Sequence, residues 1–483
     1  MRTRTTATAL AVTLLTTGLT PILLLTPASA AAARHADDFN GDGYRDLVTA
    51  APMATVDGKD YAGAVVVHYG SANGITATDR TVITQNSAGV PDSAEEQDEF
   101  GRTTASGDLN NDGYADLVIG ADREDVGSDA DGGYVAIVWG GANGLSGGLN
   151  IPDPAVSAHD GFGSSLAVGD FTGDGRADLA VGSSGKDVWI HAGGFTKASG
   201  PASRQELVTD LQTGSINLYG AQSLAAGDVN GDGTDDLVIT GTHHPDDFTY
   251  DDGQLIYLGS GSGLTLQTVL KSGAWRTATV GDLNGDGYDD VVTGAAPDTA
   301  RPGDGGSIST YLGSASGVRG TPQRTIDQDT EGVPGASEDD DWFGHALATG
   351  DINGDGYDDL AVSANYEAVG TVTLTGSVTV LRGSATGLTT TGVQSFTQDT
   401  AGVPGAAEAN DHFGSAVRLS DLTGDNRADL SIGADGENDA DGALWNLRGA
   451  SSGVTTTGAV LYGPASSGIS TSGSPRLGFS MLQ

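Results

Sequence analysis

Asp38, Asn40, Asp42 and Asp46 stand at positions 1, 3, 5 and 9 of a nine-residue segment with Gly43 at position 6. Such a set offers several hard oxygens and no soft donor, which is the ligand chemistry of Ca²⁺ rather than of zinc or copper. The pattern Asp-x-Asn/Thr-x-Asp-Gly/Asn-x-x-Asp returns six more times. It holds Asp108, Asn110, Asp112 and Asp116; Asp170, Thr172, Asp174 and Asp178; Asp228, Asn230, Asp232 and Asp236; Asp282, Asn284, Asp286 and Asp290; Asp351, Asn353, Asp355 and Asp359; and Asp421, Thr423, Asp425 and Asp429. Position 7 adds a main-chain carbonyl, from Tyr44, Tyr114, Arg176, Thr234, Tyr288, Tyr357 and Arg427. Gly at position 6 permits the sharp turn with positive φ. Asp at position 9 can chelate with both oxygens. We expect up to seven Ca²⁺ ions, mainly structural, because each side-chain set comes from one tight loop and implies no open coordination position. The loops at Asp170 and Asp421 carry Thr at position 3, and the latter has Asn426 at position 6, so these two should bind more weakly.

The residues after each loop exclude a helical metal hand. An EF-hand needs Glu at position 12. Here that position holds Thr49, Ile119, Val181, Ile239, Thr293, Val362 and Ile432, all β-branched. The loop therefore joins two strands. Successive loops start 70, 62, 58, 54, 69 and 70 residues apart, a period that means one architecture of like units. In the second unit, Phe100–Gly107 leads into the loop and residues 116–121 form a short strand. Tyr134–Trp139 is a third strand, Gly140–Gly144 a turn, and a weaker fourth strand lies near 145–151. The third strand and its turn recur at 65–74, 255–263, 308–317, 378–387 and 444–453, while 188–193 keeps the strand without the usual turn. Four short strands per unit predict an all-β, seven-bladed propeller. The first unit lacks an opening strand, and Leu477–Leu482 resembles the missing piece, so the C-terminus is expected to close the ring.

Residues 1–30 read as a secretory signal peptide. Arg2 and Arg4 precede an apolar run from Ala7 to Leu25, and Ala28-Ser29-Ala30 offers a small-residue cleavage site. The propeller then spans 31–483, and the expected location is extracellular. The sequence has no cysteine, so neither disulfides nor thiol chemistry are available. The formal net charge is −42, which excludes a nucleic-acid binder and disfavours anionic membranes.

Phe-Gly opens units at Phe100, Phe162, Phe343 and Phe413, and Gly-Ala-Pro-like corners follow the second strand at 50–52, 120–122, 294–297 and 433–435. With the Asp loops, residues 36–483 resemble the FG-GAP repeat family. That family includes the propeller of integrin α chains and the C-terminal propeller of glycosylphosphatidylinositol-specific phospholipase D. Units four and five depart from the pattern, with Tyr219-Gly220 out of register and Ala274-Trp275 in place of Phe-Gly. The resemblance implies an adhesion-like role.

Other chemistry is sparse. Gly449-Ala-Ser451-Ser-Gly453 matches the Gly-x-Ser-x-Gly of lipolytic hydrolases but falls on the repeated third-strand turn. A nucleophile elbow joins a strand to a helix. His243, His244, Asp246 and Asp247 form a local cluster expected in a solvated loop. Strand parity puts the Asp loops and third-strand turns on one face. The opposite face carries the longer loops, rich in acids such as Glu95, Asp98, Glu124, Glu338, Asp341 and Glu437. Binding usually resides in such loops. We expect a monomeric, secreted, calcium-binding module that holds a protein or glycan on that face, without nucleic acid or membrane insertion. The alternatives are a secreted esterase- or phosphodiesterase-type hydrolase and a lectin on the same propeller.

Overall fold

The computed structural model describes residues 33–156, 158–214, 219–246, 249–271, 277–295 and 304–482. The signal-peptide reading at 1–30 and Trp275 lie outside them. Seven antiparallel sheets follow one another along the chain, six of four strands and one of three. Blade two is typical: Thr103–Gly107, Asp116–Ala121, Tyr134–Trp139 and Ser146–Ile151 pair in sequence order. In blade two the second and third strands are short apolar runs with every residue buried, Asp116–Ala121 and Tyr134–Trp139. The outer strands are half exposed, as at Ser146–Ile151. That gradient is what stacked sheets produce, each inner strand being covered on both faces by its neighbours.

The core lies between blades. Phe100, Phe162, Phe343 and Phe413 are 0–1% exposed and pack among strands of two successive blades. First strands from blades three to seven line a central cavity of about 480 Å³, together with Phe479–Leu482.

Blade one has Leu47–Ala51, Ala64–His68 and Arg80–Ile83, and the C-terminal segment supplies its inner edge. Ala50 N donates to Ser480 O at 2.9 Å and Gly478 N to Ala50 O at 3.0 Å, with a bridge between Thr49 and Met481. Leu477 bridges Gly442 as Phe162 bridges Gly133. Gly478 has φ 89°, beside 95° at Gly101 and 98° at Gly414, so it takes the place of a Phe-Gly glycine. The ring is closed as expected, by a short bridge rather than a full strand ladder.

One local reading changes, and one holds. His243 and Asp246 are not in a loop: the second strand of blade four runs Asp236–Asp246 and forms a long hairpin with Thr249–Leu258. Asp247 lies outside the described residues. Ser451 sits in the turn between strands Ala443–Ala450 and Gly453–Tyr462, so no strand-to-helix elbow exists there.

Candidate metal loops and the opposite face

Each Asp loop runs from the first to the second strand of its blade, or, in blade one, up to Leu47–Ala51. Its turn is held by the position-1 aspartate. Oδ2 of Asp38, Asp108, Asp170, Asp228, Asp282, Asp351 and Asp421 accepts the position-6 amide at 2.7–3.0 Å. Position 6 has φ 91° at Gly43 and 62° at Asn426, a conformation Gly adopts freely and Asn tolerates. Position 5 accepts the position-7 amide, as Asp42 Oδ1 accepts Tyr44 N at 3.0 Å.

The position-9 aspartate is the buried member. Asp46, Asp116, Asp178, Asp236, Asp290, Asp359 and Asp429 are all at most 2% exposed. One oxygen of each accepts the amide of the glycine that starts the third-strand turn: Gly70, Gly140, Gly193, Gly259, Gly313, Gly383 and Gly449, at 2.6–3.0 Å. The other oxygen often accepts the position-2 amide, as Asp46 does from Phe39 at 2.9 Å. Position 9 therefore latches the loop to the next hairpin of its own blade, a role its ligand-like spacing did not reveal.

Burial pushes these carboxyls up, and the loop's other aspartates add to it. Asp46 rises to about 8 and Asp116, Asp236, Asp290 and Asp429 to about 7. Asp359 stops at about 6, where Arg382 lies 3.5 Å away. The side-chain oxygens Asn110 Oδ1 and Asp429 Oδ2 are buried without a hydrogen-bond partner. Buried, crowded and partly orphaned oxygens are what a hard cation satisfies, so the donor chemistry of these loops suits one. The structure does not gather each loop's carboxylates into a tight set. Among the described residues, the three acidic groups whose ligand atoms lie within 4.8 Å of one another are Glu338, Asp341 and Glu367.

The loops are also chained around the ring. The position-8 amide of one loop donates to the position-1 carbonyl of the loop before it: Ala115 to Asp38, Asp235 to Asp170, Asp289 to Asp228, Asp358 to Asp282 and Ala428 to Asp351, at 2.8–3.0 Å. The position-7 ring covers the preceding loop's position-4 glycine. A Cβ on Gly41 would lie 2.4 Å from Tyr114 Cε1, and one on Gly285 would lie 2.8 Å from Tyr357 Cε1.

The opposite face is built differently. Glu99, Trp342, His412 and Arg476 each precede the first residue of a Phe-Gly or Leu-Gly pair and each has φ between 54° and 63°. Non-glycine residues held there cost of order 1–3 kcal/mol and cluster at functional sites. Trp342, Tyr366 and His412 form a row with ring centroids 5.0–5.1 Å apart. His412 and Arg476 both reach Asp435, at 3.2 and 2.9 Å. Burial would raise the Asp435 carboxyl, but these two partners outweigh it and hold it below the usual range.

Comparison with known proteins agrees with this architecture. The FG-GAP repeat model matches residues 35–68, 100–138, 162–198 and 343–381, and the FG-GAP-like repeat model matches 228–293. Integrin alpha-PS3 of Drosophila melanogaster is 33% identical over 161 residues, 31% of this chain and 14% of that protein. Integrin alpha pat-2 of Caenorhabditis briggsae is 31% identical over 248 residues, 47% of this chain and 20% of that protein. Phosphatidylinositol-glycan-specific phospholipase D of Mus musculus is 32% identical over 147 residues, 30% of this chain and 17% of that protein. The chain thus spans a fifth or less of these relatives. No helix among the described residues is long and apolar enough to cross a membrane.

Proposed function

We propose that this chain, a propeller of FG-GAP repeats similar to those of integrin α chains, is a secreted, calcium-stabilised module that binds a protein or glycan partner on the face opposite its Asp loops. The observation that carries the reading is the division of labour between the faces. The loop face spends its polar groups on itself, through latches and inter-loop hydrogen bonds. The other face holds Trp342, His412 and Arg476 at strained backbone positions. An aromatic row beside an arginine suits a surface that must be apolar and polar at once, the composition of interface hot spots. Calcium supplies fixed positive charge among the loop carboxylates, while the chain's own residues set the blades in place.

The test is a binding screen of the calcium-loaded protein against extracellular proteins and a glycan array. Trp342→Ala and His412→Ala should lose the captured partner while the protein stays folded. Binding that survives both would remove the assignment of the face. The hydrolase reading draws on the likeness to the phospholipase alone. An esterase and phosphodiesterase screen on the same sample checks it, and turnover abolished by Trp342→Ala would replace the adhesion reading.

A further inference from the structure

We propose a second kind of cation site, on the face opposite the Asp loops at the junction of blades five and six. Glu338, Asp341, Glu367 and the side-chain carbonyl of Gln328 bind a hard divalent cation of the Ca²⁺ type. The four residues come from three stretches of chain. Gln328 follows the last strand of blade five, Arg324–Ile326; Glu338 and Asp341 precede the first strand of blade six, Phe343–Gly350; Glu367 follows its second strand, Asp359–Ala364. Their carboxylate ligand atoms lie within 4.8 Å of one another. Three carboxylates this close repel unless a cation or protons separate them.

A second observation points to a ligand rather than to a solvated acidic patch. Gln328 is only 4% exposed, and its amide lies at the cluster, with Nε2 donating to Glu367 Oε2. Its carbonyl Oε1 is buried with no hydrogen-bond partner. A buried acceptor left unpaired beside three carboxylates lacks a positive partner, and a cation supplies one. All four donors are oxygens, which suits a hard ion and excludes thiolate- or imidazole-seeking metals. One oxygen of Asp341 is held by Glu338 N at 2.8 Å, which fixes the carboxylate at the loop. Burial also pushes Asp341 up to about 7.

The arrangement recurs at identical spacing. Gln328, Glu338, Asp341 and Glu367 correspond to Gln398, Glu408, Asp411 and Glu437 and to Gln85, Glu95, Asp98 and Glu124. Gln85 and Gln398 are 1% and 2% exposed, donate to Glu124 and Glu437, and leave Oε1 unpartnered as Gln328 does. Glu95 N and Glu408 N meet Asp98 and Asp411 at 2.6 Å. These two cups are looser relatives of the first. In one of them Asn438 already donates to Glu437 Oε1 at 3.0 Å. Between blades two and three the solution differs, with His159 facing Asp187 at 3.1 Å.

Trp342, next to Asp341, makes a reporter. The mature chain should be titrated with Tb³⁺ under tryptophan-selective excitation, and its bound Ca²⁺ counted by elemental analysis. Glu338→Gln and Glu367→Gln should each lower the count by one and abolish Tb³⁺ emission sensitised by Trp342. Asp286→Asn, at an exposed position of an Asp loop, should lower the count but keep that emission, so failure of the loops to bind metal is separable from failure of this site. Glu338 is exposed, so its variant should fold whatever becomes of the other. A folded Glu338→Gln protein with unchanged count and emission overturns the proposal.

Discussion

At Asp290 both carboxylate oxygens are engaged by the chain itself: Gly313 N donates to one at 2.9 Å and Leu283 N to the other at 3.2 Å. Asp290→Ala should therefore destabilise the protein even in chelator, by about 1–3 kcal/mol for each buried amide it orphans. Asp282→Ala removes a turn-forming ligand and should lower bound calcium by one in calorimetry. Asp170→Ala should cost less, because Thr172 already replaces the amide oxygen there; equal effects of the two on stoichiometry and melting refute the ranking. The turns were readable from spacing, because an aspartate at position 1 that accepts the position-6 amide and a position-6 residue with positive φ recur together. The latch was not, since its partner glycine lies 15–24 residues on and only the hairpin brings it back. His191 was equally silent. It is 1% exposed, edge-on to Phe162, with neither ring nitrogen partnered, and burial, then Arg204, lowers it from 6.5 to about 4. The unfolded chain takes up a proton below pH 6.5 that the folded chain refuses, so stability is full above 6.5 and falls toward pH 4. His191→Phe should melt progressively higher relative to wild type across that fall; a constant difference contradicts it.

Among the elements, the closing segment is the most exposed to test. Leu477, Met481 and Leu482 are 0–4% exposed and enter three different apolar clusters. Each forfeits about 1.5–3 kcal/mol of burial if removed. Together they approach the ~5–15 kcal/mol that holds a typical domain folded. Deleting residues 475–483 should destabilise the whole ring and expose an edge prone to aggregation. A truncated monomer with an unaltered melting curve would mean that the segment is dispensable. The missing strand of unit one and the Leu-Gly pair at 477–478 made this closure legible. Its brevity was not, because the number of bridges Ser480 and Met481 make with Leu47–Ala51 is decided by the packing of Met481 and Leu482 and not by any local sequence signal. The hairpin in blade four was misread for a related reason. Its polar residues resemble a loop, and the cross-strand pairing of His243 with Asp251 appears only once both strands are in place.

For the molecule as a whole, a chain of formal charge −42 closes a ring without a disulfide. The acids are concentrated where blades meet: in the chained Asp loops on one face and in the Gln-Glu-Asp-Glu cups on the other. The loop face was legible from the sevenfold motif, whereas the aromatic row of Trp342, Tyr366 and His412 was not: Trp342 and His412 hold the same repeat position, but Glu99 and Arg476 fill it elsewhere, so no residue type repeats there. Our account holds that calcium and the ring are one cooperative unit. Binding only the folded state raises stability by mass action, and extracellular sites of this kind bind at about 10⁻⁴–10⁻³ M. The decisive measurement is the melting midpoint of the protein across a calcium titration and in excess chelator. A midpoint that climbs with calcium through that range and falls in chelator is the predicted result. A midpoint indifferent to both would contradict the account.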